Sequence, residues 1–229
     1  MNILKKKAIG LFEKQFAKRA TILEIRAWNP ATFFEVDLHL PGVDMGRWQS
    51  VQHMKCKVAE GTYRDYTPAH WDAETETCTL FVDAAHDGYG SRWAAGLSTG
   101  DQVIYMGIST TFTKPLSAAS LFCLGDSSAI GHFLALEQLA GRGNVNGALV
   151  IKEPGHRNAF QSFFDSALEA IPQQTSSNID NLHSWLIEQQ LSNAAVYLAG
   201  NVPMVVELRK KIKALPGFSG PVKVQGFWW

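Results

Sequence analysis

A change of rhythm at Lys114-Pro115 constrains this chain more than any other feature, because the text on its two sides needs two different architectures. Upstream lie short stretches of alternating character: TILEIRAWN, TFFEVDLHL, VQHMKCKVAEG, TYRDYTPA, TCTLFVDAAH and DQVIYMGIS. Period-two alternation bounded by turn residues predicts half-buried strands. Breaks fall at Asn29-Pro30, Pro41-Gly42, Gly61 and Gly100-Asp101, where glycine allows positive φ and proline cannot donate to a ladder. Half a dozen such strands predict a small antiparallel barrel, with one helical insertion, SRWAAGL, starting at Ser91. Downstream, SLFCLG is followed by the helical pattern SSAIGHFLALEQLAG and then by the apolar run GALVIKE. Helical stretches at Asn158–Ala170 and Asp180–Gln190 lead to AAVYLAG, VPMVVELRKKIKAL and PVKVQGFWW. Strands alternating with helices predict a doubly wound, mostly parallel sheet. The expected boundary is near Ser117, giving domains 1–116 and 117–229, each near the size at which a core sustains itself.

Charge and cysteine usage narrow the partners. With 21 basic and 21 acidic side chains the net charge is zero, so no overall field favours nucleic acid or an anionic membrane, and anion binding must come from local groups. Cys56, Cys78 and Cys123 are scattered without a CxxC pair, which predicts buried thiols rather than a metal cage, a disulfide framework or an iron–sulfur cluster. The basic start is followed by AIGLFEKQFAKRA, where charges interrupt any signal-peptide core, and no run reaches the roughly 20 apolar residues of a membrane span. The expectation is a cytoplasmic protein without integral membrane association. Leu4, Ile9, Leu11, Phe12 and Phe16 predict an amphipathic N-terminal helix, packed on its own protein or lying on a membrane surface.

Chemistry concentrates first in Gly61-Thr62-Tyr63-Arg64-Asp65-Tyr66-Thr67-Pro68. Arg64 and Tyr66 stand two apart on a predicted strand, so a cation and an aromatic ring share one face. A flavin dinucleotide calls for that pairing, a cation for its pyrophosphate and a flat surface for its isoalloxazine, and the Thr67 hydroxyl adds a polar group for the reactive N5. Pro68 biases Thr67 towards an extended backbone. A second element follows, His86-Asp87-Gly88-Tyr89-Gly90-Ser91-Arg92-Trp93, in which a Gly-rich loop enters a helix. Gly88 and Gly90 let backbone N–H groups approach an anion, while Ser91 binds the anion or caps the helix. A plain turn with a helix cap is the alternative.

The order RDYTP, a strand ending in His, GYGSRWA and TGD before another strand resembles the siderophore-interacting subgroup of the ferredoxin-reductase superfamily. The resemblance implies an FAD-binding barrel followed by a Rossmann-like NAD(P)-binding domain with a mostly parallel sheet. It assigns Arg64, Tyr66 and Thr67 to the flavin, with Tyr66 and Thr67 at the reacting ring, Gly88, Gly90, Ser91, Arg92 and Trp93 to the pyrophosphate loop, and His86 to a place beside the flavin. Tyr89-Gly90 stands where the family has Pro-Ala, Gly107-Ile108 where Gly-Pro is common, and Gly125-Asp126-Ser127-Ser128 where an acidic, Thr-containing stretch is usual.

Gly125, Asp126 and Ser127 follow a strand and open a helix, so they meet a pyrophosphate or nicotinamide ribose, or merely cap the helix. Lys152, His156 and Arg157 stand where a 2′-phosphate would favour NADPH over NADH, or form a solvated loop. Gly200 and Asn201 echo another family segment with Asn in place of the common acid. The ending Gly226-Phe227-Trp228-Trp229 resembles the family's GYW terminus, which implies a ring, Trp229, over the flavin's open face. By the same resemblance NADPH or NADH passes hydride to FAD, which reduces a ferric siderophore or other iron(III) chelate by single electrons and releases iron(II). The protein itself ligates no metal, and Lys55, Lys57 and Arg92 are candidates for a basic patch that meets an anionic chelate. A general flavin or protein-acceptor reductase, or an FAD-binding protein without nicotinamide activity, uses the same residues.

Overall fold

The computed structural model describes residues 16–117, 120–141, 143–173 and 177–229. The amphipathic stretch through Ile9 and Phe12 lies outside them. The chain divides into two compact units, Met1–Phe112 and Thr113–Trp229.

The first unit is antiparallel. It comprises β1 (Lys18–Ala27), β2 (Phe33–His39), β3 (Gln52–Ala59), β4 (Thr62–Tyr66), β5 (Pro68–Asp72), β6 (Thr77–Asp83), α1 (Tyr89–Ala95) and β7 (Gln102–Thr110). The sheet order is β4-β3-β7-β1-β2-β6-β5, and it curls until β4 lies against β6 and β3 against β5, giving a barrel-like shape. Alternation sets the inner face: along β3, Gln52, Met54, Cys56 and Val58 are buried, and Met54 and Cys56 join Val36, Leu38 and Leu80 in one core. Arg26 pins β1 to β2 through ion pairs with Glu35 at 2.8 Å and Asp37 at 2.6 Å.

TYRDYTPA is two strands rather than one. β4 pairs with β3, whereas β5 pairs with β6, so the chain exchanges partners at Thr67. Pro68, which has no N–H for a ladder, is tolerated where one pairing ends and the next begins. Two further boundaries differ from expectation. The strand thought to end in His86 stops at Asp83, and the helix expected from Ser91 begins at Tyr89 with Gly88 as its N-cap.

The second unit comprises β8 (Ser120–Asp126), a 3-10 turn Ser127–Ala129, α2 (Ile130–Ala140), β9 (Val145–Ile151), α3 (Pro154–Phe163), β10 (Leu168–Pro172), α4 (Asn178–Ile187), β11 (Ala194–Asn201), α5 (Val202–Lys213) and β12 (Val222–Trp228). All pairings are parallel, in the order β10-β9-β8-β11-β12. The central strands β8 and β11 are buried almost throughout, as expected of a sheet covered on both faces. Chain order reverses between β8 and β11, the switch point at whose carboxyl end doubly wound folds bind ligands.

The helix expected over Asn158–Ala170 is a correction: α3 stops at Phe163 and Leu168–Pro172 is a strand. Leu168 and Ala170 are buried on either side of exposed Glu169, a period of two, and β9 supplies the backbone partners. Pro172 sits on an edge strand, where a missing donor costs little. All three cysteines are buried free thiols. Among the described residues no helix is long and apolar enough to cross a membrane, and no group of three or more His, Cys, Asp or Glu side chains is arranged to hold a metal ion.

Candidate functional site

Strand geometry puts Arg64 and Tyr66 on one face of β4, opposite Cys56 and Met54 of β3. α1 brings Gly90 under both of them: a Cβ added there would lie 2.6 Å from the Tyr66 hydroxyl and 3.7 Å from Arg64 Cγ. The two separated motifs of the sequence therefore meet at one place. Arg64 is exposed and donates from Nη1 to the Tyr63 carbonyl at 2.8 Å, which anchors one edge of the guanidinium. Tyr66 is half-buried and stacks on Trp93, with ring centroids 5.3 Å apart and planes inclined by 19°. Burial, with a smaller contribution from nearby Cys56, pushes the Tyr66 phenol well above its ordinary value, and Arg64 opposes the shift only in part. The phenol is thus neutral across the physiological range. Thr67 is half-buried at the β4–β5 joint.

The rest of the loop divides by role. A Cβ on Gly88 would meet nothing within 4 Å, so open space lies before this backbone. Ser91 falls inside the first turn of α1, whose N-cap carries no side-chain hydrogen bond; the expected Ser91 cap is not formed. Trp93 stacks on Tyr66. Arg92 pairs with Asp87 and lies over the Tyr89 ring, 5.0 Å from its centroid. His86 is exposed, three residues beyond the end of β6. Lys55 pairs with Asp65 at 3.1 Å. Lys55 and Arg92, both proposed for a basic patch, therefore carry their own carboxylates.

In the second unit, Asp126 ties the switch point together. One carboxylate oxygen accepts from Ser128 N at 3.0 Å and from Ser128 Oγ, and the other accepts from Asn201 N at 2.8 Å. The ends of β8 and β11 are joined by one side chain. Ser127 and Ser128 form the turn into α2, and Asn201 caps α5 by accepting from Met204 N at 3.1 Å. Gly125 is buried at the end of β8. Of the strand-end group proposed for a 2′-phosphate, His156 is 4% exposed, and Arg157 donates from Nη1 to the carbonyls of Ile151 and Lys152, both at 2.9 Å. Lys152 is exposed.

The C-terminal aromatics also separate. The Trp228 indole donates to Ser128 Oγ at 3.2 Å, Phe227 meets the edge of His132, and Trp229 is 89% exposed. His132, on α2, escaped the sequence reading; it is 2% exposed and its Nδ1 has no hydrogen-bond partner among the described residues. Burial pushes its imidazole down to about 3. Between the ordinary value of 6.5 and that figure the unfolded chain binds a proton that the folded chain refuses, so stability falls as pH falls through this window. Above it His132 is neutral in both states and contributes no pH dependence. The slope is about 1.4 kcal/mol per pH unit well inside the window. Thermal unfolding of His132→Phe and the parent at pH 5 and pH 7.5 is expected to show a smaller acid loss in the variant; an equal loss in both would contradict this account.

Residues 34–110 match the family of siderophore-interacting FAD-binding domains. No curated protein matches the sequence. Among solved structures, a siderophore-interacting protein from Acinetobacter baumannii superposes with a TM-score of 0.73 at 14% identity, covering 93% of this chain and 90% of the other. A siderophore utilization protein from T. fusca gives 0.69 at 17% identity, over 93% and 92% of the two chains. Phthalate dioxygenase reductase, described as a modular structure for electron transfer from pyridine nucleotides to [2Fe-2S], gives 0.71 at 18% identity, over 94% of this chain and 69% of the other. Residues 34–110 thus resemble the siderophore-interacting FAD-binding domains, and the chain shares its fold with these solved structures.

Proposed function

We propose that this protein is a flavin-dependent reductase that holds FAD at Arg64, Tyr66 and Thr67, takes electrons from NADPH or NADH, and delivers them to a ferric siderophore or other iron(III) chelate. The observation that carries the reading is the convergence of Arg64, Tyr66 and Gly90, inside the segment that matches an FAD-binding domain family. The residues fit the group. An exposed guanidinium anchored along one edge keeps donors for phosphate oxygens, a half-buried neutral phenol ring offers a flat surface, and open space before Gly88 admits a pyrophosphate to the backbone. Bound FAD supplies hydride acceptance and single-electron donation.

The chain's own contributions are positional. Arg64 neutralises phosphate charge and fixes the dinucleotide in register, Tyr66 orients the ring system and shields it from water, and Thr67 offers a hydroxyl at the reacting edge. Gly88 with Ser91 lines the pyrophosphate, with Arg92 as an outer cation and His86 at the rim. At the carboxyl edge of the parallel sheet, Gly125, Asp126 and Ser127 form the nicotinamide side, Lys152 stands ready for a 2′-phosphate, and Trp229 is an exposed ring available for stacking. The iron substrate is supported by the names of the structural neighbours, and its chemistry suits the proposal, since hard oxygen donors hold iron(II) less tightly than iron(III).

Anaerobic mixing of the FAD-loaded protein with NADPH or NADH tests the reading. The expected result is bleaching of the flavin band, then its return on adding a ferric chelate, with iron(II) trapped by a coloured chelator. Failure of both nucleotides to bleach the flavin would leave an FAD-binding protein without reductase activity. Bleaching that only free flavin or ferredoxin reverses would point to a general or protein-acceptor reductase.

A further inference from the structure

Gly90 is a glycine without a backbone reason. It lies in α1, is not among the positive-φ residues, and alanine is the better helix former at such a position. What it provides is space, for any Cβ there would press on the Tyr66 hydroxyl at 2.6 Å. That hydroxyl has little room to yield, because the ring behind it is stacked on Trp93 and packed against the barrel core. One turn of α1 thus bounds Tyr66 twice, by an absent side chain under the phenol end and by an indole against the ring face.

We infer that Gly90 and Trp93 are positioning residues that together fix the plane and depth of Tyr66, so that one face of its ring stays available to a planar ligand. The inference rests on the flavin reading above and reassigns Trp93 from a ligand of the cofactor to the backing of the residue that meets it. Trp93→Leu removes the backing, and Trp93→Phe keeps an aromatic face. Gly90→Ala drives the phenol outward without touching Trp93. A stacked phenol quenches flavin emission by electron transfer, so the fluorescence lifetime of bound flavin reports ring placement independently of affinity.

The test is FAD titration of the full chain and these three variants, with lifetimes measured at saturation. Trp93→Leu and Gly90→Ala are expected to raise Kd about three- to tenfold and to lengthen the lifetime, with Trp93→Phe close to the parent. Unchanged Kd and lifetime in Trp93→Leu and Gly90→Ala, while Tyr66→Ala alters both, would overturn the inference and leave the flavin reading standing. Tighter binding in Trp93→Leu would also overturn it, since the indole would then occupy the ligand's place. A parent that takes up no FAD would overturn the flavin reading itself. Should Gly90→Ala fail to fold, the two Trp93 variants decide.

Discussion

Replacing Tyr66 by Ala is expected to raise the Kd for FAD by about 30- to 100-fold, and replacing Arg64 by Ala by about 10- to 100-fold. The two losses differ in kind. Tyr66 contributes ring area, worth about 2–3 kcal/mol if its open face is covered by the ligand. Arg64 contributes charge-assisted hydrogen bonds to phosphate, about 1.5–3 kcal/mol. Tyr66→Phe keeps the ring and should retain most of the affinity, whereas Arg64→Lys keeps charge without the fork and should recover only part. Because both side chains rest on Gly90, their effects are not expected to add. Tyr66 also packs against the barrel core, so each variant's melting temperature must accompany its Kd. Unchanged FAD retention in both alanine variants would refute the assignment.

The second large effect is structural and falls on the switch point of the parallel sheet. Gly200 has φ of +123°, a conformation that side chains other than glycine rarely adopt, and a Cβ there would lie 2.6 Å from the Asp126 carboxylate atoms. Gly200→Ala therefore combines backbone strain with a clash against the group that caps Ser128 and Asn201. The expected cost is about 3–5 kcal/mol, a fall in Tm of roughly 10 °C or more for the second unit. Asp126→Ala alone should cost about 2–3 kcal/mol through the lost caps. The double variant should be less destabilised than the sum by about 1–2 kcal/mol, because truncating Asp126 makes room for the new methyl. Strict additivity in thermal or denaturant unfolding would show that the two sites do not interact as described.

These two predictions also mark what the sequence could disclose. Same-face placement of Arg64 and Tyr66 follows from a spacing of two on a strand, so it was legible in the sequence. The doubly wound, mostly parallel sheet was legible too, through strands and helices alternating after Pro115. Where a strand depends on a distant partner, local text misleads: Leu168–Pro172 pairs along β9, and its length and spacing alone fitted the end of a helix. The split at Thr67 was hidden likewise, since only the barrel's closure makes β4 and β5 choose different neighbours.

Within the candidate site, residue identities were legible but several relations were not. Trp93 was grouped with the phosphate loop because it follows Ser91 and Arg92, and its stacking on Tyr66 was not visible in the sequence. Gly90 reads as letting backbone N–H groups approach an anion, and nothing in the sequence shows that it also lies against a phenol 24 positions earlier. Cations also look alike in sequence. Lys55 and Arg92 stand beside Asp65 and Asp87, and Arg157, on α3, spends one guanidinium nitrogen on the end of the preceding strand β9. His132 gave no signal beyond its place in an apolar helix, since an orphaned ring nitrogen arises from tertiary packing.

Binding of FAD by the barrel-like unit at Arg64 and Tyr66 is decided by the visible spectrum of the full chain titrated with FAD. The expected result is a yellow protein that retains flavin through gel filtration, with perturbed absorption bands, and that loses it when Arg64 or Tyr66 is replaced by Ala. A colourless protein whose added FAD elutes free, with the spectrum of flavin in water, would contradict it.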